Sequence, residues 1–323
     1  SFDEVSKVID DALKLGSDNK MGYDYIADFE ARFLKKARDP VTTGWADIDD
    51  ISKGGLGKGE LGVVVAPTGA GKSMVLVHLG AQALKAGKNV LHYTLELGDT
   101  IVAGRYDAAI TGVELRNLAV FKEKIYDEIK EIPGKLIVKE YPTRSANIQT
   151  IKNHVEKLKR RDFTPDMIIV DYGDLIRPEN GGKDEKRHQL ETIYEELRGL
   201  AQICECPLWT ASQTNRSGLN AEVITMESIS EAFNKCFVAD FIFTVSRTVE
   251  DKNNNTGRIF IAKNRNGPDG LVYPLFMDTS SVCIKVLSQT GETVNDIIQK
   301  SSKDRLEALK EKYKVFKKEG GKG

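Results

Sequence analysis

Short apolar runs and amphipathic segments alternate along the chain from Leu61 onward. Six of the apolar runs are typical of buried strands: Leu61–Ala66, Asn89–Leu95, Leu136–Glu140, Met167–Asp171, Pro207–Ser212 and Asp240–Ser246. Helical patterns fill most of the gaps between these runs. This alternation predicts an α/β fold, with a mainly parallel sheet and helices on both of its faces.

Three further apolar runs follow one another closely: Arg258–Lys263, Leu271–Phe276 and Val282–Leu287. Their close spacing predicts an antiparallel extension at the C-terminal end of the core.

Amphipathic stretches flank this core on both sides. Apolar residues at helical spacing near the N-terminus are Phe2, Val5, Val8, Ile9, Ala12 and Leu13. The tail from Lys300 to Gly323 carries nine basic and four acidic residues, and its apolar side chains also recur at helical spacing. This tail helix packs on its own core or offers a surface to a partner chain or DNA. We therefore predict N-terminal helices over 1–39, a core over 40–290 and a basic helical tail over 291–323.

Composition narrows the class of protein. The 323 residues are 40% hydrophobic and 29% charged, which is typical of a globular chain. The 47 Lys and Arg nearly cancel the 48 Asp and Glu, so any nucleic-acid site must be local. No apolar run reaches the roughly 18 residues of a membrane-spanning helix. The four cysteines form no pair of CxxC motifs, and a reducing, cytoplasmic location fits best.

The strongest chemical signal is the loop that follows the first strand. Ala66-Pro67-Thr68-Gly69-Ala70-Gly71-Lys72-Ser73 joins an apolar strand to a helix. In such a loop the backbone N–H groups from Thr68 to Gly71 converge on phosphate oxygens, Lys72 reaches the β and γ phosphates, and Ser73 binds Mg²⁺. Ala66 stands where the motif has its first Gly. The pattern predicts a site for Mg²⁺ and a nucleoside triphosphate such as ATP.

Carboxylates follow two other predicted strands. Asp171 ends an apolar strand, where the second ligand of a Mg²⁺-nucleotide site is expected. Tyr172 occupies the next position, where many P-loop ATPases have Glu, so the general base must come from elsewhere. We predict that Glu96, after the second strand, is this base, and that Asp174 is the alternative.

Two further candidates follow later strands. Gln213 can sense the γ-phosphate and relay its loss to the next loop, although a glutamine at a strand end is often structural. Lys263 and Arg265 lie two residues apart at a strand end. They are either a solvated pair or, in a ring ATPase, cations that reach the nucleotide of the neighbouring subunit.

The order of these motifs resembles the RecA-like motor domain of DnaB-family replicative helicases over residues 40 to 287. The resemblance is carried by these segments: Thr43–Leu61, the phosphate-binding loop, Leu95–Leu97, Ile168–Tyr172, Ser212–Arg216 and Lys263–Gly267. The segment Leu136–Thr143 is most similar to members from tailed phages. Ala66 and the Gly173-Asp174 pair depart from the family pattern.

The resemblance implies a homo-hexameric ring that hydrolyses ATP between subunits and translocates 5′ to 3′ on single-stranded DNA. It implies that Lys72 and Ser73 bind phosphate and Mg²⁺, that Asp171 holds the metal, and that Glu96 is the base. It assigns Gln213 as sensor and gives Lys263 and Arg265 a role in the neighbouring site.

Partners also follow from the resemblance. Loops after the Asp171 and Gln213 strands would grip DNA through Lys183, Lys186, Arg187, Asn215, Arg216, Ser217 and Gly218. The alternative for the loop after the Asp171 strand is a mixed-charge surface loop that does not bind DNA. The stripe at Phe2–Leu13 is placed to be the linker helix that docks on an adjacent motor. A primase and a helicase loader are further expected partners, in the host cytoplasm if the chain is encoded by a phage.

Two other classes of protein share the fold and the nucleotide site. One is a RecA/RadA-type recombinase filament, and the other is a KaiC-like regulatory ATPase. The spacing of Lys263 and Arg265 and the string from Ser212 to Arg216 match the helicase pattern better.

Overall fold

The computed structural model describes residues 22–30, 38–178, 186–214 and 236–287. The chain divides into two units, Ser1–Arg38 and Asp39–Gly323. In the first unit, residues 22–30 form a turn in which the Asp24 carboxylate accepts hydrogen bonds from the backbone N–H groups of Ile26 and Ala27. The apolar stripe predicted at Phe2–Leu13 and the basic tail lie outside the described residues.

The second unit is built on a sheet of nine strands. These are β1 (Leu61–Ala66), β2 (Val90–Thr94), β3 (Leu136–Glu140), β4 (Met167–Asp171), β5 (Leu208–Gln213), β6 (Phe241–Ser246), β7 (Thr256–Asn264), β8 (Val272–Asp278) and β9 (Cys283–Val286). Their order across the sheet is β3-β2-β4-β5-β1-β6-β7-β8-β9. Strands β1 to β6 pair in parallel, whereas β7, β8 and β9 pair antiparallel. The predicted α/β class and the antiparallel extension are confirmed, and each predicted strand end is within two residues of the observed one.

Seven helices of the described residues precede or connect these strands. They are α1 (Ala46–Ile51), α2 (Lys72–Lys85), α3 (Asp99–Thr111), α4 (Lys122–Ile129), α5 (Ile148–Lys159), α6 (Lys186–Cys204) and α7 (Val249–Asn253). Short 3-10 turns cover Leu115–Asn117 and Gly173–Leu175. None of the helices in the described ranges is long and apolar enough to span a bilayer.

Strand β1 is buried on both faces, which explains its unbroken apolar sequence. Leu61, Val63 and Val65 pack into a core with residues of α5 and α6. Val64 and Ala66, which point to the other face, pack with α2 and α3. Ala66 is thus an ordinary buried strand residue, so the missing glycine of the motif does not disturb the strand.

The direction of the strands separates two edges of the sheet. We call the end at which β1 to β6 finish the carboxyl edge, and the end at which they begin the amino edge. Strand β7 runs the other way, and its last residue, Asn264, pairs with Phe241 at the start of β6. Strands of six residues span about 20 Å, so side chains after β7 lie roughly that far from side chains after β1.

Candidate active site at the carboxyl edge

The loop after β1 uses its two motif glycines for backbone geometry. Gly69 has φ 73° and Gly71 has φ 101°, a left-handed region that residues with a side chain rarely adopt. A β-carbon on Gly71 would also lie 2.6 Å from Met277 Sδ in β8. The loop can therefore turn sharply into α2 only with glycine at these positions.

Helix α2 begins at Lys72, directly after this turn. Within the described chain, no side chain caps its N-terminus, and its first turn holds no acidic residue. The first N–H groups of a helix have no partners inside it, and the helix dipole makes this end favourable for an anion. The N-terminus of α2 is thus suited to bind phosphate oxygens.

The Lys72 side chain lies back across the loop. Its ammonium Nζ donates to the Pro67 carbonyl at 3.4 Å and lies 5.6 Å from the centre of the Tyr172 ring. The predicted phosphate-binding cation therefore sits between the loop and the residue that follows Asp171.

Asp171 ends β4 and is 1% exposed. Neither of its carboxylate oxygens meets hydrogen-bond geometry with a described residue. The pKa of Asp171 is raised to about 6: burial and the charge of Glu96 raise it, while the nearby Ser73 hydroxyl, Arg105 and Lys72 oppose the rise. Buried polar atoms normally have well-formed hydrogen bonds, so a buried carboxylate with only the Ser73 hydroxyl nearby among the described hydrogen-bond donors fits a site for a bound cation.

Glu96 lies two residues beyond the end of β2 and is exposed. Strands β2 and β4 are neighbours, with Thr94 opposite Asp171 and the Leu95 N–H donating to the Asp171 carbonyl at 2.8 Å. The structure thus brings the predicted base and the predicted metal ligand together at adjacent strand ends.

Asp174, the alternative base, has structural partners. Its carboxylate accepts the Tyr194 hydroxyl from α6 at 2.9 Å and the backbone N–H of Gln213 at 3.2 Å. This carboxylate fixes the end of β5. Its two oxygens are engaged by the fold, which favours Glu96 as the base.

Gln213 contacts the phosphate-binding loop directly. Its side-chain Nε2 donates to the Thr68 hydroxyl at 2.6 Å, and its Oε1 accepts the Tyr172 hydroxyl at 3.4 Å. Gln213 therefore bridges the loop after β1 and the residue after β4, and its role as a sensor stays a prediction.

Lys263 and Arg265 lie elsewhere, at the amino edge. Lys263 Nζ donates to the Phe237 carbonyl at 2.5 Å and lies 4.4 Å from the centre of the Phe237 ring. Arg265 Nη1 donates to Asp240 Oδ1 at 3.0 Å. Both cations thus bind the segment that precedes β6, at the edge opposite the phosphate-binding loop of their own chain.

Most of the predicted DNA-binding residues lie outside the described residues, namely Lys183, Asn215, Arg216, Ser217 and Gly218. Lys186 and Arg187 were expected in the loop after β4, but the structure places their backbone in a helix, so this placement was wrong. They are the first two residues of α6.

Two basic residues near the site were not predicted. Arg105, on α3, is half-buried, and its charge opposes the raised pKa of Asp171. Lys252, on α7, places its Nζ 3.7 Å from where a β-carbon on Gly69 would lie. Each comes from a helix rather than a strand end, so no motif marks it.

Comparisons with known proteins identify the family of the chain. The model of the DnaB-like helicase C-terminal domain matches residues 40–282. The DnaB-like replicative helicase of Enterobacteria phage T4 is 33% identical over 260 residues, which cover 76% of this chain and 54% of that protein. The replicative DNA helicase DnaB of Mycoplasma genitalium is 26% identical over 290 residues, covering 80% of this chain and 60% of that protein. The chain therefore spans little more than half the length of these relatives.

Solved structures show the same fold. A DnaB-like replicative helicase, studied for its interactions with primase, superposes with a TM-score of 0.68 at 15% identity, over 88% of this chain and 71% of that one. The RadB recombinase superposes with a TM-score of 0.51 at 13% identity, over 77% of this chain and all of that one. The RecA-like fold is thus confirmed, and the family match separates the helicases from the recombinases: the chain belongs to the family of DnaB-like helicase C-terminal domains.

Proposed function

We propose that this chain is the ATP-hydrolysing motor of a hexameric replicative DNA helicase that moves 5′ to 3′ on single-stranded DNA. Family membership supports the class of enzyme. The observation that carries the chemistry is the buried Asp171 carboxylate beside Ser73: among the described residues no group meets full hydrogen-bond geometry with its oxygens, and the start of α2, which no described side chain caps, follows the same loop.

The roles of the residues follow from this arrangement. The N–H groups from Thr68 to Gly71 and the Lys72 ammonium would bind the phosphates of ATP. Ser73 and Asp171 would hold Mg²⁺ together with phosphate oxygens. When bound, the metal would neutralise negative charge on those oxygens.

Two polar side chains would act on the attacking water. Glu96 is exposed at the next strand end and would accept its proton. Gln213 would respond to the γ-phosphate through its bond to Thr68 and transmit the change to the loop after β5.

Lys263 and Arg265 would act on the nucleotide of the neighbouring subunit. Their place at the amino edge, about 20 Å from the loop after β1, supports this role because they are too far from their own nucleotide. A cation supplied across an interface raises the rate of phosphoryl transfer by roughly 10³ to 10⁵.

DNA would pass through the centre of the ring. The loop after β4 and the start of α6 would grip its backbone through Lys183, Lys186 and Arg187, and the loop after β5 through Asn215–Gly218. Primase and a helicase loader remain proposed partners, and the expected place of action is the cytoplasm.

The test of the enzyme class is unwinding of a forked duplex with a 5′ tail. We expect ATP-dependent unwinding and a hydrolysis rate that single-stranded DNA stimulates. A fork with only a 3′ tail is the matched control and should not be unwound. Filaments that bind DNA without unwinding it would point to a recombinase, and hydrolysis indifferent to DNA would point to a regulatory ATPase.

The action across the interface has its own test in mixed rings. Lys72→Ala should inactivate its own site, and Arg265→Ala should inactivate the neighbour's. When the two inactive variants exchange subunits, activity should return wherever Arg265→Ala supplies the loop and Lys72→Ala supplies the arginine. A tethered pair of subunits that stays inactive in this arrangement would exclude the proposed role of Arg265.

A further inference from the structure

Asp240 joins three elements at the amino edge of the sheet. It immediately precedes β6, is 4% exposed, and its backbone N–H donates to the Leu61 carbonyl at the start of β1 at 2.8 Å. Its carboxylate accepts hydrogen bonds from Leu61, Arg198 and Arg265.

The carboxylate is fixed from inside the domain. Oδ2 accepts the Leu61 N–H at 2.9 Å and Arg198 Nε at 3.2 Å, while Oδ1 accepts Arg198 Nη2 at 3.1 Å. Leu61 belongs to β1, and Arg198 belongs to α6. Asp240 is thus held by the central strand and by a helix packed on the sheet.

Arg265 is bound to this fixed residue at two points. Its backbone N–H donates to the Asp240 carbonyl at 3.0 Å, and its Nη1 donates to Asp240 Oδ1 at 3.0 Å. The Arg265 side chain remains 45% exposed, against 6% for the Asp240 side chain. One end of the guanidinium is therefore held by the domain while much of the side chain stays accessible.

We propose that Asp240 is the positioning residue that presents Arg265 to the active site of the neighbouring subunit. The inference rests on the proposed action of Arg265 across the interface. An exposed arginine has many rotamers, and a donor contributes most to a transition state when it is already in place. A displacement of about 1 Å can cost roughly 10²-fold in rate.

A purely structural role for Asp240 makes the opposite prediction about which site fails. Asp240 is bonded to the first residue of β1, and the phosphate-binding loop follows that strand. If Asp240 served only to hold β1, its loss would damage the nucleotide site of its own subunit. If it positions Arg265, its loss damages the neighbour's site.

The test uses Asp240→Asn in the full chain. The amide oxygen of Asn can still accept the Leu61 N–H, but the charge that holds Arg265 is gone. We expect kcat for ATP to fall about 10- to 100-fold with little change in KM. In the Arg265→Ala background the same substitution should cause no further loss, because the contact is already absent.

Mixed rings then show which site is affected. Asp240→Asn mixed with Lys72→Ala should regain activity, since the first supplies an intact loop and the second an intact arginine. Asp240→Asn mixed with Arg265→Ala should gain nothing, because both lack a working arginine. Rescue by Arg265→Ala and not by Lys72→Ala would overturn the proposal.

Two comparisons keep the result interpretable. A mixture of Lys72→Ala and Arg265→Ala subunits is measured in parallel. If this mixture regains no activity, the proposed action of Arg265 on the neighbouring site is rejected, whatever the role of Asp240. Arg198→Gln removes the other ion pair of Asp240 while retaining the contact with Arg265, so it should lower kcat less than Asp240→Asn. An equal loss would show that general loosening of the edge is responsible.

Asp240→Glu replaces Asp240→Asn if the amide variant does not fold. It keeps the charge but moves the carboxylate by one methylene, so the same direction of complementation is expected with a smaller loss. Unchanged kcat in this variant, with Arg265 required in the parallel pair, would contradict a positioning role.

Discussion

Two buried carboxylates stand at opposite edges of the sheet and differ in their partners. Asp240, at the amino edge, accepts hydrogen bonds from a backbone N–H and from two arginines. Asp171, at the carboxyl edge, is equally buried, but its oxygens have no hydrogen-bond partner among the described residues.

The difference separates a carboxylate that completes the fold from one that is kept for a ligand. Burying an ionised group without a partner opposes folding, and the raised pKa of Asp171, about 6, reflects this cost. A cation would supply the missing partner. The bonds of Asp240, in contrast, are already made within the domain.

The largest expected loss of ATP hydrolysis comes from a substitution at the carboxyl edge. Lys72→Ala should reduce ATP hydrolysis by roughly 10³-fold, because the cation stabilises charge that develops on the transferred phosphate. Lys58→Ala is the matched control, since Lys58 precedes β1 and makes an exposed ion pair with Asp39. Steady-state kinetics of both variants should show a loss only for Lys72→Ala, and equal losses would mean that the two edges do not differ in chemistry.

The next largest expected effect on hydrolysis distinguishes Glu96 from Asp174 as the general base. Glu96→Gln should slow turnover by roughly 10²- to 10³-fold while nucleotide still binds, because the amide cannot accept a proton. Asp174→Asn should lose much less activity, since the hydrogen bonds of Asp174 to Tyr194 and Gln213 stabilise the fold. Single-turnover hydrolysis separates the two, and the reverse order would identify Asp174 as the base.

Stability should change in opposite directions at the two edges. At pH 8, Asp171→Asn should raise the free energy of unfolding of the ligand-free chain by about 1 to 3 kcal/mol, because burial shifts the pKa of Asp171 from 3.8 to about 6. Asp240→Asn should lower it by about 1 to 3 kcal/mol through the loss of charged hydrogen bonds.

The protonation of Asp171 explains why Asp171→Asn should raise the free energy of unfolding at high pH. The unfolded chain releases this proton first as pH rises, so the cost of burying the ionised group grows between about pH 4 and pH 6 and is complete above that range. Urea unfolding at pH 8 and pH 4 should therefore show the gain from Asp171→Asn only at pH 8. A gain that is equal at both values would mean that burial of charge is not its cause.

The smallest effect is the pH dependence of metal-assisted binding. Below about pH 6 the Asp171 carboxyl is protonated and cannot bind a cation, so Mg²⁺-dependent nucleotide affinity should fall about tenfold from pH 7 to pH 5. Asp171→Asn is the control, since it retains only the titration of the nucleotide itself. Titrations by fluorescence that show identical pH profiles for both proteins would contradict this role.

Much of the carboxyl edge could be predicted from sequence because its residues follow apolar strands. Parallel strands bring their ends together, so Ser73, Glu96, Asp171 and Gln213 could be placed near one another before their contacts were known. The glycines between β1 and α2 made the loop recognisable in the same way.

The amino edge was harder to predict because its contacts join distant parts of the chain. Asp240 precedes a strand, Arg198 lies within a helix, and Arg265 follows an antiparallel strand, so no spacing links the three. Lys252 and Arg105 were missed for a related reason, since each reaches the nucleotide site from a helix face. A charged residue directly before the apolar run of β6 was the one signal available for Asp240.

The central claim is that Asp171, and not Asp240, is reserved for a cation. The most direct measurement is nucleotide affinity with and without Mg²⁺ for the unaltered chain, Asp171→Asn and Asp240→Asn. We predict that Mg²⁺ tightens binding to the unaltered chain and to Asp240→Asn but has little effect on Asp171→Asn. An undiminished response to Mg²⁺ in Asp171→Asn would contradict the account.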